Sequence, residues 1–133
     1  MSGTPNYAST PLVGAKLLTT ADTSRTAPTT FQSLITAPVG GAQVERLSII
    51  PVATTVASVI RFFKYDGASY RLFFEYQLPA QTLAAGTAVA AVTFQAADNP
   101  SMFPIILGSN WELRATVNDA QTGVAVHAEG GGY

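Results

Sequence analysis

The sequence predicts an all-β protein, an antiparallel, jelly-roll-like β-sandwich of about seven or eight strands preceded by an extended N-terminal arm. Three observations predict it. From Val44 onward, short runs rich in β-branched and aromatic residues alternate with Gly, Pro, Asn and Asp turn signals at intervals of roughly 8 to 12 residues. Within that stretch, two such runs flank Asp66-Gly67-Ala68-Ser69, the composition of a hairpin turn. No segment carries a helical period: 80–91 is Ala-rich, but Gly86, Thr87 and Val89 weigh against a helix there.

The hairpin over 56–78 holds seven of the thirteen aromatic residues, so it supplies much of any core. Pairing Tyr65 with Tyr70 or with Ala68 shifts the register by two residues and leaves the faces unchanged. Arg61, Phe63 and Tyr65 then share a face with Tyr70, Leu72, Phe74 and Tyr76. Ile60, Phe62 and Lys64 share the other with Arg71, Phe73 and Glu75. As core residues, Phe74 and Trp111 would each cost about 3 to 5 kcal/mol on truncation to Ala.

Residues 1–43 read as the arm, being rich in Ser, Thr, Pro, Ala and Gly, with Pro5, Pro11, Pro28 and Pro38 interrupting regular structure. It has room for one strand over 12–20 and a short second over 29–35, with a surface loop over 21–28. Residues 1–11 are expected to be disordered alone or to order on a neighbouring subunit. Their removal would leave the domain folded and weaken attachment.

The domain proper is placed at 44–133. Its first strand, over 44–50, ends at Pro51, which belongs at an edge or a strand terminus. After the hairpin come strands over 88–95, with Val92 and Phe94 on one face, and 102–108, a short apolar segment. The strand over 111–117 has Trp111, Leu113, Ala115 and Val117 inward and Glu112, Arg114 and Thr116 outward. The last strand runs over 124–129, and Gly130 to Tyr133 form a tail.

Composition excludes several functions. At 133 residues the chain has the size of one domain able to bury a core without staples. Charged residues are 11% of the chain, hydrophobic residues 47%, and mean hydropathy is +0.25. Such a neutral surface suits a subunit covered by partners. Seven basic residues are scattered and the net charge is −1, which argues against nucleic-acid binding. The absence of cysteine removes disulfides and thiolate metal sites. No apolar run approaches the roughly 20 residues that span a bilayer, so no membrane partner is expected. Met1 to Tyr7 lacks the regions of a secretion signal, and the expectation is synthesis in a cytoplasm with a mature start near Met1.

No catalytic, cofactor or metal constellation is expected, and the chain is not read as an enzyme. His127 is the single histidine, so any zinc site or nucleophilic triad would rest on it alone. It falls on the outer face of the last strand, as a solvated or interfacial residue. Asn118 to Thr122 and Asp98 to Ser101 read as turns, and neither glycine cluster lies between a strand and a helix. Arg61 and Arg71 either hold an anion or carbohydrate beside the hairpin tyrosines or pair with Glu75. Tyr7 and Tyr133 are terminal aromatics that anchoring on another subunit would explain, as would chance placement. The candidate partner contacts are therefore Tyr7, Pro11, Arg61, Arg71, His127 and Tyr133.

From Val44 to Tyr133 the chain resembles a group of small virion proteins of tailed bacteriophages. The resemblance rests on the order of Glu45-Arg46-Leu47, the 53–55 linker, Ile60-Arg61-Phe62-Phe63, Tyr65-Asp66-Gly67, Tyr70-Arg71-Leu72-Phe73, Trp111 to Thr116, and Ala128-Glu129-Gly130-Gly131. It implies a structural role, as a head decoration or cement protein that stabilises the capsid shell from outside. The implied partner is the major capsid protein, with the chain a homo-oligomer or present in many copies on the lattice. A tail or fibre module adhering to a host surface is the alternative, in which the hairpin's Tyr and Arg residues hold sugar or protein.

Overall fold

The computed structural model describes residues 10–133, and Tyr7 lies outside them. Nine strands form two antiparallel sheets. They are β1 (Thr10–Leu18), β2 (Gln32–Thr36), β3 (Ala42–Pro51), β4 (Ser58–Tyr65), β5 (Tyr70–Leu78), β6 (Val92–Gln95), β7 (Ile105–Leu107), β8 (Glu112–Val117) and β9 (Val124–Gly132). The first sheet runs β1-β9-β3-β6, with β7 also on β3, and the second runs β2-β8-β4-β5. The pairings are nested: β1 with β9, β2 with β8, β3 with β6 and β7, and β4 with β5. The chain is thus one long hairpin, tipped by the β4–β5 turn and wrapped into two layers.

The core between the sheets is aliphatic and aromatic, with Leu47, Ile49, Ile60, Phe62, Leu113, Val117, Val124 and Val126 buried. The stretch read as an arm contributes a strand to each sheet, β1 along β9 and β2 along β8. Pro51 ends β3, where its missing N–H interrupts no ladder. The tail is shorter than expected from sequence, since β9 continues through Gly132. Among the described residues there is no helix, and 79–91 is a largely exposed connection pinned by a bridge between Thr55 and Gln81 and by two hydroxyl bonds, the Leu83 amide donating to Thr54 Oγ1 and Thr55 Oγ1 to Pro79 O.

The tip follows the predicted chemistry. Tyr65 pairs with Tyr70, and Asp66 Oδ1 accepts from the amides of Ala68 at 2.9 Å and Ser69 at 2.7 Å, while Gly67 takes φ +99°. Bonds from Ser69 and Ala68 hold the Asp66 carboxyl below its ordinary value.

The face assignment needs correction beyond the tip. Phe63 pairs with Leu72 but Phe62 pairs with Phe74, so Phe73 is an extra residue in β5. Past this bulge every β5 side chain changes face. Phe74 and Tyr76 turn inward beside Phe62 and Ile60, and Glu75 turns outward opposite Arg61. The bulge resolves a conflict in the sequence, because a regular β5 would have sent two aromatics outward and a carboxylate into the core. Phe74 and Trp111 are only partly buried against that core, while Phe62 and Phe63 are fully buried.

Two further bulges fall at Leu34 in β2 and Glu45 in β3. β2 and β5 are edge strands, and bulged edges resist pairing with another chain. On the edge strand β1, Pro11 lacks a donor and Lys16 sits on the inward side opposite Val126. Both have the same protective effect.

Candidate interaction surface

The two outer faces of the sandwich differ. That of the second sheet carries Glu112, Arg114 and Thr116 from β8 and Arg61, Phe63 and Tyr65 from β4, and the β1–β2 connection crosses it as a strap over 19–31. The Asp22 amide donates to Val117 O at 2.8 Å, and Arg25 Nε donates to Glu75 Oε2 at 3.0 Å. The Phe31 ring lies 3.9 Å from the Arg114 guanidinium. Asp22 organises the strap itself, its carboxylate accepting amide bonds from Ser24, Thr29 and Thr30.

Arg61, 2% exposed, sits on this covered face. Its Nε donates to Glu75 Oε2 at 2.9 Å and its Nη1 to Asn118 Oδ1 at 3.0 Å, so its guanidinium is engaged within the chain. Arg114 is similarly engaged, donating to both oxygens of Glu112 at 3.1 and 2.9 Å and to the Tyr70 hydroxyl. Its guanidinium also stacks 3.8 Å from the Tyr65 ring. Arg61 of the hairpin and the rings of Tyr65 and Tyr70 are thus engaged within the chain. Arg71 is exposed, on the other face of the hairpin, directly opposite Lys64.

Acid is expected to loosen the strap. Burial alone would raise the Asp22 and Glu75 carboxyls. Amide bonds from Thr30, Ser24 and Thr29 outweigh it at Asp22, and bonds from Arg25 and Arg61 outweigh it at Glu75, so both lie below their ordinary values of 3.8 and 4.5. A depressed carboxyl contributes stability that is present above its unfolded value and is lost as pH falls through the folded one. The protection of the Asp22 and Thr30 amides, measured against the intrinsic exchange rate at each pH, is therefore expected to hold down to about pH 5 and to fall below the ordinary carboxylate range, ahead of that of β4 and β9. A uniform loss of protection in the strap, β4 and β9 would show that the strap is not a separate unit.

Among the described residues, no segment crosses the outer face of the first sheet. Cross-strand register puts Pro11, Val13, Ala15 and Leu17 of β1 beside Gly131, Glu129, His127 and Ala125 of β9. On β3 they are continued by Gln43, Arg46, Ser48 and Ile50, and on the flank by Thr93, Gln95 and Ile106. Val13 is 74% exposed, Leu17 45% and Ile106 53%. One exposed ion pair, Arg46 to Glu129 at 3.5 Å, crosses this face, and an open groove of about 280 Å³ runs beside Arg46, Gln95 and Pro104.

Three of the sequence-derived candidates meet here. Pro11 and His127 lie on this face by register, and Tyr133 joins it by continuing the line of β9 beside β3, its hydroxyl donating to Gln43 Oε1 at 3.0 Å and its amide to Gly41 O at 3.1 Å. Sequence reasoning missed Val13, Leu17 and Ile106. The period-2 repeat of Val13, Ala15 and Leu17 was the available signal for the first two. Among the described residues no group of three or more His, Cys, Asp or Glu side chains is placed to hold a metal ion, and no helix is long and apolar enough to cross a membrane.

No family model matches the chain, and no curated protein matches it. Among solved structures, a chain of the cyanophage Pam1 capsid asymmetric unit is similar over 100% of this chain and 94% of that chain, with 17% identity and a TM-score of 0.41. Identity and score are too low to carry a function across.

Proposed function

We propose that the chain is a structural protein of a tailed-phage virion, a decoration or cement protein lying on the outside of the capsid shell. The outer face of the β1-β9-β3-β6 sheet is its contact surface and the major capsid protein its partner, and no bond is made or broken. The observation that carries this reading is the asymmetry of the two outer faces among the described residues, one covered by the chain's own strap and the other weakly charged and crossed by no connection. The virion-protein resemblance of 44–133 supports it, and the nested strand pairing supports a jelly-roll reading of the sandwich.

Magnitudes favour a lattice over a single partner. Strands β1, β9 and β3, of 9, 9 and 10 residues, flanked by the shorter β6 and β7, present at ~4.8 Å between strands and ~3.3 Å per residue an area of about 550 Å². A standard stable interface buries about 800 Å² per partner. One copy therefore holds weakly, and many copies fixed on a repeating shell hold by their number. The alternative adhesion module has less support, since Arg61 is already paired within the chain and Arg71 is the one exposed arginine of the hairpin.

The test is add-back to particles stripped of the protein. The wild-type chain is expected to return in near-stoichiometric numbers and to raise the particles' resistance to heat, whereas binding to host cells without binding to particles would overturn the reading. The double substitution Val13→Glu with Leu17→Glu is expected to change stability by about 0.5 kcal/mol or less, as exposed positions allow, while abolishing add-back. Undiminished occupancy would remove this face from consideration. Truncation before Thr10 keeps every β1 pair, whereas a cut after Pro11 also removes the pairs to Gly132 and Gly131. The shorter cut is the fair test of the arm, and it is expected to lower occupancy without lowering the melting temperature.

A further inference from the structure

Beneath the strap, where it leaves β1 and returns to β2, a cavity of about 30 Å³ is lined by Thr19, Thr20, Thr30, Gln32 and Thr116, with apolar neighbours closing the remainder. Thr116 is 1% exposed, and its Oγ1 has no hydrogen-bond partner in the protein. A buried hydroxyl in that state is uncommon, because nothing replaces the bonds it made to solvent. The cavity volume is about that of one water, which needs two to four polar partners. Thr19 O and the Thr30 amide are already engaged, by the Gln121 amide and by Asp22 Oδ2, which leaves side-chain hydroxyls and the Gln32 amide as the available groups.

We infer that this cavity is a binding site for a single structural water that joins Thr116 of β8 to the threonines of the strap. The strap's other ties are main-chain bonds from Asp22 N to Val117 O and from Gln121 N to Thr19 O, an exposed ion pair and a ring stacked on Arg114. The water adds a tie at the point where the strap meets the sheet edge, and it satisfies the hydroxyl that the strap buries.

Two measurements test this. A high-resolution crystal structure of the wild type is expected to show one ordered water within hydrogen-bond reach of Thr116 Oγ1. Thr116→Val keeps the shape and removes the hydroxyl. It is expected to lower the melting temperature by about 2 to 5 °C and to speed exchange at the Asp22 and Thr30 amides, with Thr116→Ser restoring both. The sign decides the matter, since a hydroxyl buried without a partner would make Thr116→Val neutral or stabilising. Such a result, or no water at Thr116 in the wild-type density, overturns the inference, and the second criterion holds even if the valine variant fails to fold.

Discussion

Phe62→Ala is expected to lower the free energy of unfolding by about 3 to 5 kcal/mol, a large part of the roughly 5 to 15 kcal/mol available to a domain of this size. The Phe62 ring is fully buried between the sheets and stacks on Phe74 with centroids 5.7 Å apart and planes 19° from parallel. Its loss leaves a void that β8 and β5, hydrogen-bonded on either side of β4, cannot collapse to fill. Phe74→Ala is expected to cost less, because Phe74 lies on an edge strand and is only partly buried, keeping one edge-to-face contact with Phe94 at 4.8 Å. Phe63→Ala should match Phe62→Ala in size and differ in kind, since Phe63 is buried on the strap side and meets Tyr70 edge-on at 5.7 Å. Denaturant unfolding of the three variants, with exchange at the strap amides, separates these outcomes. If Phe74→Ala proved the most damaging, the bulge at Phe73 would be misplaced.

This ordering of phenylalanines marks where the sequence stopped being legible. The hairpin, its turn and the pairing of Tyr65 with Tyr70 follow from local chemistry, because Asp66 and Gly67 can only serve a turn there. The faces of β5 do not, because one extra residue inverts them and nothing in Leu72-Phe73-Phe74-Glu75 says which residue is extra. Only the demand that Glu75 reach Arg61 and that Phe74 reach the core decides it, and that demand is tertiary. The outward direction of Thr116 was legible from alternation along β8, but its burial was not, since the strap that covers it comes from a segment low in apolar residues. The same holds for the interaction surface. His127 and Pro11 were read as contacts for reasons of composition, and it is the antiparallel register of β1 on β9 that places them side by side with Val13 and Leu17.

The strap and the uncrossed sheet face are two answers to one problem. A sandwich with few charges has two outer faces to protect from water and from other copies of itself. On one, the chain spends a thirteen-residue connection, 19–31, and most of its buried arginine chemistry. On the other no described segment lies across the sheet, and β1 carries Pro11 and Lys16, which discourage edge pairing, beside the exposed Val13 and Leu17. Guarding the edge while leaving the face open is consistent with the proposed covering of the sheet from one side.

Gly14→Ala is expected to have the largest effect of any small substitution, above about 3 kcal/mol and at the upper end of what single changes do. A Cβ built on Gly14 would lie 1.8 Å from the carbonyl oxygen of Leu34 and 2.6 Å from its carbonyl carbon. Both are main-chain atoms, so no rotamer change relieves the overlap and β1 must move away from β2. Gly130 is confined in the same way by Gln43 O at 2.0 Å and Val44 Cα at 2.8 Å, beside the Glu45 bulge, whereas Gly86 has nothing within 4 Å and provides the neutral control. Because β1 also carries Val13 and Leu17, separation of β1 from β2 would distort the proposed contact face along with the fold. Gly14→Ala is then expected to lose particle occupancy at temperatures where its core, reported by Trp111 fluorescence, is still folded. A Gly14→Ala variant within about 1 kcal/mol of wild type would mean that the two sheets do not meet main chain to main chain at this corner.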